Sequence, residues 1–229
     1  MCIRDSYGFD LIYGLPGDSL AGFMDSVDFA MGMVPNHLDI FRLSVLPGTR
    51  LAETAEGLGL AHQAEHPYSV TGSGAFPADD LATAERIAHA CDALYNHGKA
   101  VTWLDLLLGP LEMRPSEVFL HFADHLEAAQ VDLLGAQRAF FQGLFAQRDQ
   151  SLLGDLASDL IAYFGTTAAL MDGEGEAFEV AFHHDPRVLI AQVEGGMTDL
   201  EELVFHVAPD PCVARLMLED GELVVDRIR

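Results

Sequence analysis

A chain of 229 residues that is 50% hydrophobic has enough apolar material for one large domain or two small ones. No apolar run approaches the ~20 residues that a membrane-spanning helix needs. A formal charge of −24, from 36 acidic and 12 basic side chains, argues against binding nucleic acid or an anionic membrane, both of which depend on Lys and Arg facing phosphates.

The opening residues Met1-Cys-Ile-Arg-Asp-Ser6 lack the apolar segment of a signal peptide. They match the translation of a sequencing-library adaptor, ATG TGT ATA AGA GAC AGN. Residues 1–6 are therefore expected to be an artefact, with the natural sequence starting near Tyr7, inside a larger protein. Cys2, Cys91 and Cys212 are far apart and give no disulfide framework and no CxxC or CxxxCxxC cluster. A cytoplasmic location is the default that follows.

Gly8 to Leu15 is apolar and β-branched enough for a buried parallel strand, broken by Pro16-Gly17. Asp18 or Ser19 is placed to cap a helix, on which Leu20, Phe23, Val27, Ala30 and Met31 recur on one face. Pro35-Asn36 ends that helix. His37 to Val45 is a second strand, closed by Leu46-Pro-Gly-Thr49. Strand, helix, strand makes one βαβ unit with parallel strands.

Leu51 to Leu58 predicts a short helix, and His62 to Phe76, with its Pro, Gly and Ser, an irregular loop. A longer helix follows, capped by Asp79 or Asp80, with Leu81, Ala84, Ile87, Ala88, Cys91 and Leu94 on its apolar side. Helical patterns continue over 99–108, 115–129, 135–148 and 151–164, separated at Gly109-Pro110, Arg114-Pro115 and Gly165. Beyond Met171, Ala177–His183, Arg187–Val193 and Leu203–Val207 read as strands. Val213–Leu218 and Leu223–Ile228 read as a hairpin turning at Asp220-Gly221. The fold class expected is α/β: a βαβ piece, a helical middle and a small C-terminal β region.

Two loops, DLIYGLPGDS and LSVLPGT, end neighbouring parallel strands, the place where α/β folds bind ligands. Read as simple punctuation, they are turns and nothing more. His121 and His125 are four apart on a helix, a zinc-compatible spacing without HExxH or a third ligand. His183-His184-Asp185-Pro186 reads as a turn held by Asp185. His62 and His66 flank a loop where a substrate could sit. Cys91 reads as a buried small hydrophobe. Trp103, Phe119, Phe122, Phe140, Phe141, Phe145 and Phe164 read as packing among the middle helices, and acidic pairs such as Glu201-Glu202 as solvated surface.

DLIYGLPGDS, a helix ending in Pro35-Asn36-His37, and a strand into LPGT resemble the last two barrel strands of radical S-adenosylmethionine enzymes. The continuation includes Leu51–Leu60, Pro67-Tyr68, the helix ending Tyr95-Asn96, and His184-Asp-Pro186. It is similar to the C-terminal half of cobalamin-binding members that carry an extra C-terminal domain. The resemblance implies that residues 7–50 are strands five and six of a partial (β/α)6 barrel. Residues 51–98 would be a connection and long helix, and 99–229 an accessory domain, helical and then small β.

That kinship further implies a parent that binds S-adenosylmethionine on a [4Fe-4S] cluster held by CxxxCxxC, with cobalamin in a preceding domain. Such a parent makes a 5′-deoxyadenosyl radical, for methyl transfer or related chemistry on an unknown substrate. It places Ile12 against the adenine ring, Gly14 where the strand meets the cofactor, and Ser44 and Val45 at the adenine edge, although Ile12 and Val45 read equally well as core. The three cluster cysteines are absent here, so the fragment alone is expected to be inactive, to bind none of these cofactors tightly, and to self-associate through an open strand edge. Two alternatives stay open. One is a cobalamin-independent enzyme like the oxygen-independent coproporphyrinogen oxidases, which carry a similar DLIYGLP strand. The other is a non-enzymatic α/β module that binds a protein partner.

Overall fold

Leu11, Ile12 and Tyr13 favour extended backbone, and strand β1 (Gly8–Tyr13) forms there and ends at Gly14, whose φ of +84° penalises any side chain. In this computed structural model, which describes residues 7–128 and 132–229, the chain divides into two compact units. Of the described residues, one comprises 7–97 together with Arg114–Glu127; the other comprises Gly98–Met113, Ala128 and 132–229. The MCIRDS segment lies outside the described residues, as does residue 129, the expected end of one helix.

In the first unit, helix α1 (Leu20–Met31) connects β1 to β2 (His37–Arg42), and the two strands pair in parallel from Gly8 opposite His37 to Tyr13 opposite Arg42. Ser19 is the cap: its Oγ accepts from Gly22 N–H at 3.2 Å, while Asp18 accepts from Ser19 N–H. Phe23, Val27, Ala30 and Met31 are buried, as the periodicity requires. Each large side chain so buried contributes about 1.5–3 kcal/mol. A short helix α2 (Arg50–Thr54) is capped by Thr49.

The stretch expected to be irregular, His62 to Phe76, is loop for most of its length but carries short strand pairing. Strands β3 (Ala61–His62) and β4 (Val70–Gly72) pair antiparallel, and Ser44 bridges Ser69. Helix α3 (Ala78–Cys91) follows, with its predicted apolar side buried. Its cap is Pro77, which offers no side-chain bond. Asp79 and Asp80 lie in the first turn instead, where they complement the helix dipole. One π-helical turn, Asp92–His97, continues it. Helix α5 (Pro115–Ala128) belongs to this unit as far as Glu127. Ser116 holds it in place, donating N–H and Oγ–H to Asp28 at 2.8 and 3.0 Å.

In the second unit, α4 (Leu104–Leu111) carries Pro110 inside its last turn and ends one residue later. Helix α6 (Leu133–Ala146) packs along α7 (Ser151–Met171). Gly165 does not end α7. A Cβ there would stand 2.6 Å from Leu134 Cδ1, so the glycine permits close helix packing rather than a break. Trp103 meets Phe141 edge to face at 5.4 Å.

Strands β5 (Ala177–Phe182), β6 (Cys212–Glu219) and β7 (Glu222–Arg227) form an antiparallel sheet in the order β5-β6-β7. Asp220 (φ +52°) and Gly221 (φ +84°) make the expected tight turn. Two expected strands are helices: α8 (Pro186–Glu194) and α9 (Leu200–His206). Asp185 caps α8 with Pro186 in its first turn, and Asp199 accepts from Glu201 and Glu202 N–H. These start signals outweigh the β-branched residues that follow them.

Candidate functional site

Leu15-Pro16-Gly17-Asp18 and Leu46-Pro47-Gly48-Thr49 are the same turn built twice. In each, the fourth residue's N–H donates to the leucine carbonyl, at 3.1 and 3.2 Å, and the glycine holds φ near +80° (+81° and +79°). That is a type II turn, which needs glycine at its third position and favours proline at its second. Each turn delivers a capping hydroxyl, Ser19 or Thr49, that starts a helix. Both strands therefore end in one device that turns the chain sharply into a helix.

Around these turns the four residues of interest occupy adjacent strand ends. Ile12 pairs with Phe41 and stands 46% exposed, with Phe41 at 53%. Strand alternation puts Asp10, Ile12, His37, Asp39 and Phe41 on one face of the two-stranded sheet. Gly14 cannot be replaced without strain, because its φ is positive and a Cβ would meet Leu81 at 3.2 Å. Ser44 is half-buried, and neither its hydroxyl nor its backbone has a hydrogen-bond partner among the described residues. Val45 is 1% exposed and donates its N–H to Tyr68 O at 2.8 Å, so its side chain is core and its amide is spent.

Phe41, Asp39 and His37 are absent from the set singled out in sequence. The period-two pattern of HLDIFR, which puts these three on the face of Ile12, is the signal that finds them. His37 Nε2 lies 3.0 Å from Asp39 Oδ1. On the opposite face, Tyr13 is buried against Phe23. Its phenol is pushed up to about 12 by burial and by the charge of Glu85. His62 and His66 are exposed on the β3–β4 segment, which adjoins the end of β2 through Val45–Tyr68 and Val70–Leu43 backbone bonds.

A polar cluster in the second unit explains His183-His184-Asp185-Pro186. Asp159 is fully buried, yet its carboxylate accepts from the N–H groups of His183 and His184 and contacts both Nδ1 atoms at 2.8–3.0 Å. Asp185 accepts two bonds from the Arg187 guanidinium, which holds its carboxyl down at about 2. Arg227 pairs with Asp210 beside it. The cluster ties β5 to α7 and starts α8; its charges pair with one another.

No group of three or more His, Cys, Asp or Glu side chains among the described residues is placed to share a metal ion. His121 is exposed on α5, and His125 stacks on Phe122. Cys91 and Cys212 are buried and free, and burial pushes both thiols up. No helix among the described residues is long and apolar enough to cross a membrane. No protein-family model matches the chain, and no curated protein matches it in sequence.

Proposed function

We propose that residues 7–50 are the closing two strands of a partial (β/α)6 barrel, and that the parent is a cytoplasmic radical S-adenosylmethionine enzyme, cobalamin-dependent and acting by methyl transfer or related chemistry. The observation that carries this reading is the incompleteness of the β1–β2 sheet. Among the described residues β1 is paired on one side only, and the sheet face bearing Ile12 and Phe41 is exposed. Parallel strands ordinarily have both faces covered, and two strands alone are too few for independent stability. Beside the free edge of β1 runs an apolar groove of about 430 Å³, lined by Phe9, Leu11, Phe29 and Met33 among others, which suits a preceding strand–helix unit.

The cofactor contacts divide in two. Ile12 offers an exposed apolar surface for an adenine plane, and the unspent backbone of Ser44 offers hydrogen bonds to its edge. Gly14 supports the strand end, and Val45 acts from the core. The cluster does not fit this chain: Cys91 and Cys212 are buried in different units, and no CxxxCxxC is present. On this reading the radical chemistry belongs to residues outside 7–229.

The test is to obtain the reading frame upstream of the Tyr7 codon and purify the longer protein. Reconstitution with iron and sulfide should give the absorption and paramagnetic resonance of a [4Fe-4S] cluster. Adding S-adenosylmethionine and a reductant should then release 5′-deoxyadenosine. A bound corrin supports the cobalamin-dependent form. An upstream frame with no CxxxCxxC overturns the proposal.

A further inference from the structure

Independently of the barrel reading, we propose that a cleft in the second unit, between α7, α8 and edge strand β7, binds a small organic cation: an ammonium group at Glu194 carrying an apolar body over Tyr163, Phe164, Ile190 and Leu223. The cleft has a volume of about 450 Å³, within the range of small-molecule sites. Sheet alternation explains why it exists. Leu223 and Val225 face inward on β7, but they and Tyr163 remain only partly buried at the margin of the core of Phe182, Ala214 and Leu216.

Of the two charged side chains that line the cleft, Arg187 is matched and Glu194 is not. Arg187 and Arg227 are held by Asp185 and Asp210. Exposed Glu194, the last residue of α8, has no ion pair or hydrogen bond among the described residues. The carbonyl end of a helix is its negative pole, so the carboxylate and the helix terminus both attract a cation. Seven residues, or roughly 10 Å along the helix, separate Glu194 from the paired Arg187. Tyr163 and Phe164 meet edge to face at 5.3 Å, which offers an aromatic surface to the same cation. Tyr163 and Glu194 both line the cleft, and burial first, then the charge of Glu194, pushes the Tyr163 phenol up. The chain's net charge of −24 favours cations at long range.

The experiment is a calorimetric titration of the full chain with phenethylammonium, phenethyl alcohol and phenylacetate. Phenethylammonium should bind at least about tenfold more tightly than the alcohol, the difference expected of a charge-assisted bond. Phenylacetate should bind more weakly than either. Glu194→Gln should reduce the ammonium to the affinity of the alcohol and leave the alcohol unchanged. Ala191→Trp, on the exposed surface of α8 that lines the cleft, should abolish both, with circular dichroism confirming that each variant is folded. Equal binding of ammonium and alcohol, ammonium binding that survives both variants, or no ammonium binding overturns the proposal.

Discussion

Asn96 treats Leu38 as a neighbouring strand would. Its Oδ1 accepts from Leu38 N–H at 3.1 Å, and its Nδ2 donates to Leu38 C=O at 3.0 Å. The π-helical turn Asp92–His97 brings the carboxamide to this point, and Asp92 steadies it by accepting from Nδ2 at 3.1 Å. The outer flank of β2 is thus covered by a side chain, whereas the outer flank of β1 has no strand beside it among the described residues.

Asn96→Ala should therefore be costly. It leaves the buried Leu38 N–H without a partner and the Leu38 C=O with only the weak Cys91 thiol donor at 3.9 Å, at a loss of about 2–3 kcal/mol in stability. Asn96→Asp keeps the acceptor but aims a carboxylate oxygen at the Leu38 carbonyl and at Asp92, so it should cost at least as much as the Ala variant. Chemical denaturation followed by circular dichroism reads the difference. An Ala variant within about 0.5 kcal/mol of the parent would mean that water replaces the carboxamide.

Much of the first unit is legible in sequence. The βαβ unit, the Ser19 cap and the buried side of α3 follow from periodicity and start signals. The site is only half legible. Nothing local distinguishes Ile12, exposed, from Val45, buried, because that depends on which elements cover each sheet face. The β3–β4 pair was hidden because two- and three-residue strands have no period to detect, and His62 to Phe76 is rich in loop formers. Arg187–Val193 looked extended because Val and Ile favour strands, yet the Asp185-Pro186 start imposed a helix. Gly165 reads as a breaker because sequence shows the missing side chain but not the neighbouring Leu134 that packs into its place.

Asp159→Asn should destabilise the second unit by roughly 3 kcal/mol. The carboxylate contacts two amides and two imidazoles with four lone pairs, and a carboxamide would aim an NH2 at donors already in place. Nuclear magnetic resonance would read this directly: the His183 and His184 amide protons should lose their protection from exchange. Unchanged exchange at both would show that the backbone holds the turn without the carboxylate.

Asp185 sets an acid limit. Its folded carboxyl is held near 2 by Arg187, below the 3.8 of a free aspartate. A depressed value means that the folded form binds fewer protons than the unfolded chain. The contribution is complete above pH ~4 and is lost as pH falls from there toward ~2. It amounts to roughly 1–2 kcal/mol, because Arg187 is half-exposed and screened. Stability measured between pH ~5 and ~2 should fall less steeply in Asp185→Asn than in the parent, and that variant should already be weaker at neutral pH. Identical slopes would show that the pair contributes nothing.

Tyr7 and Tyr13 turn their carbonyls to the β2 side, accepting from Asn36 and Leu43, so by alternation Gly8, Asp10 and Ile12 present their amides and carbonyls to the free flank of β1. A second copy related by two-fold symmetry would pair antiparallel along this flank. Phe29, 73% exposed beside it, would gain cover from the same association. Asp10 would face its own counterpart in a chain of charge −24, so repulsion opposes pairing at low salt and screening relieves it. The 229-residue chain should therefore be largely monomeric at low ionic strength and dimerise as salt is raised, measured by sedimentation velocity. Ile12→Pro removes an N–H from the open edge without touching the β2 ladder, a device that natural edge strands use against pairing, and should keep the chain monomeric at every salt concentration. A parent chain that stays monomeric at high salt, or a dimer indifferent to Ile12→Pro, would show that the flank of β1 does not pair with its own kind.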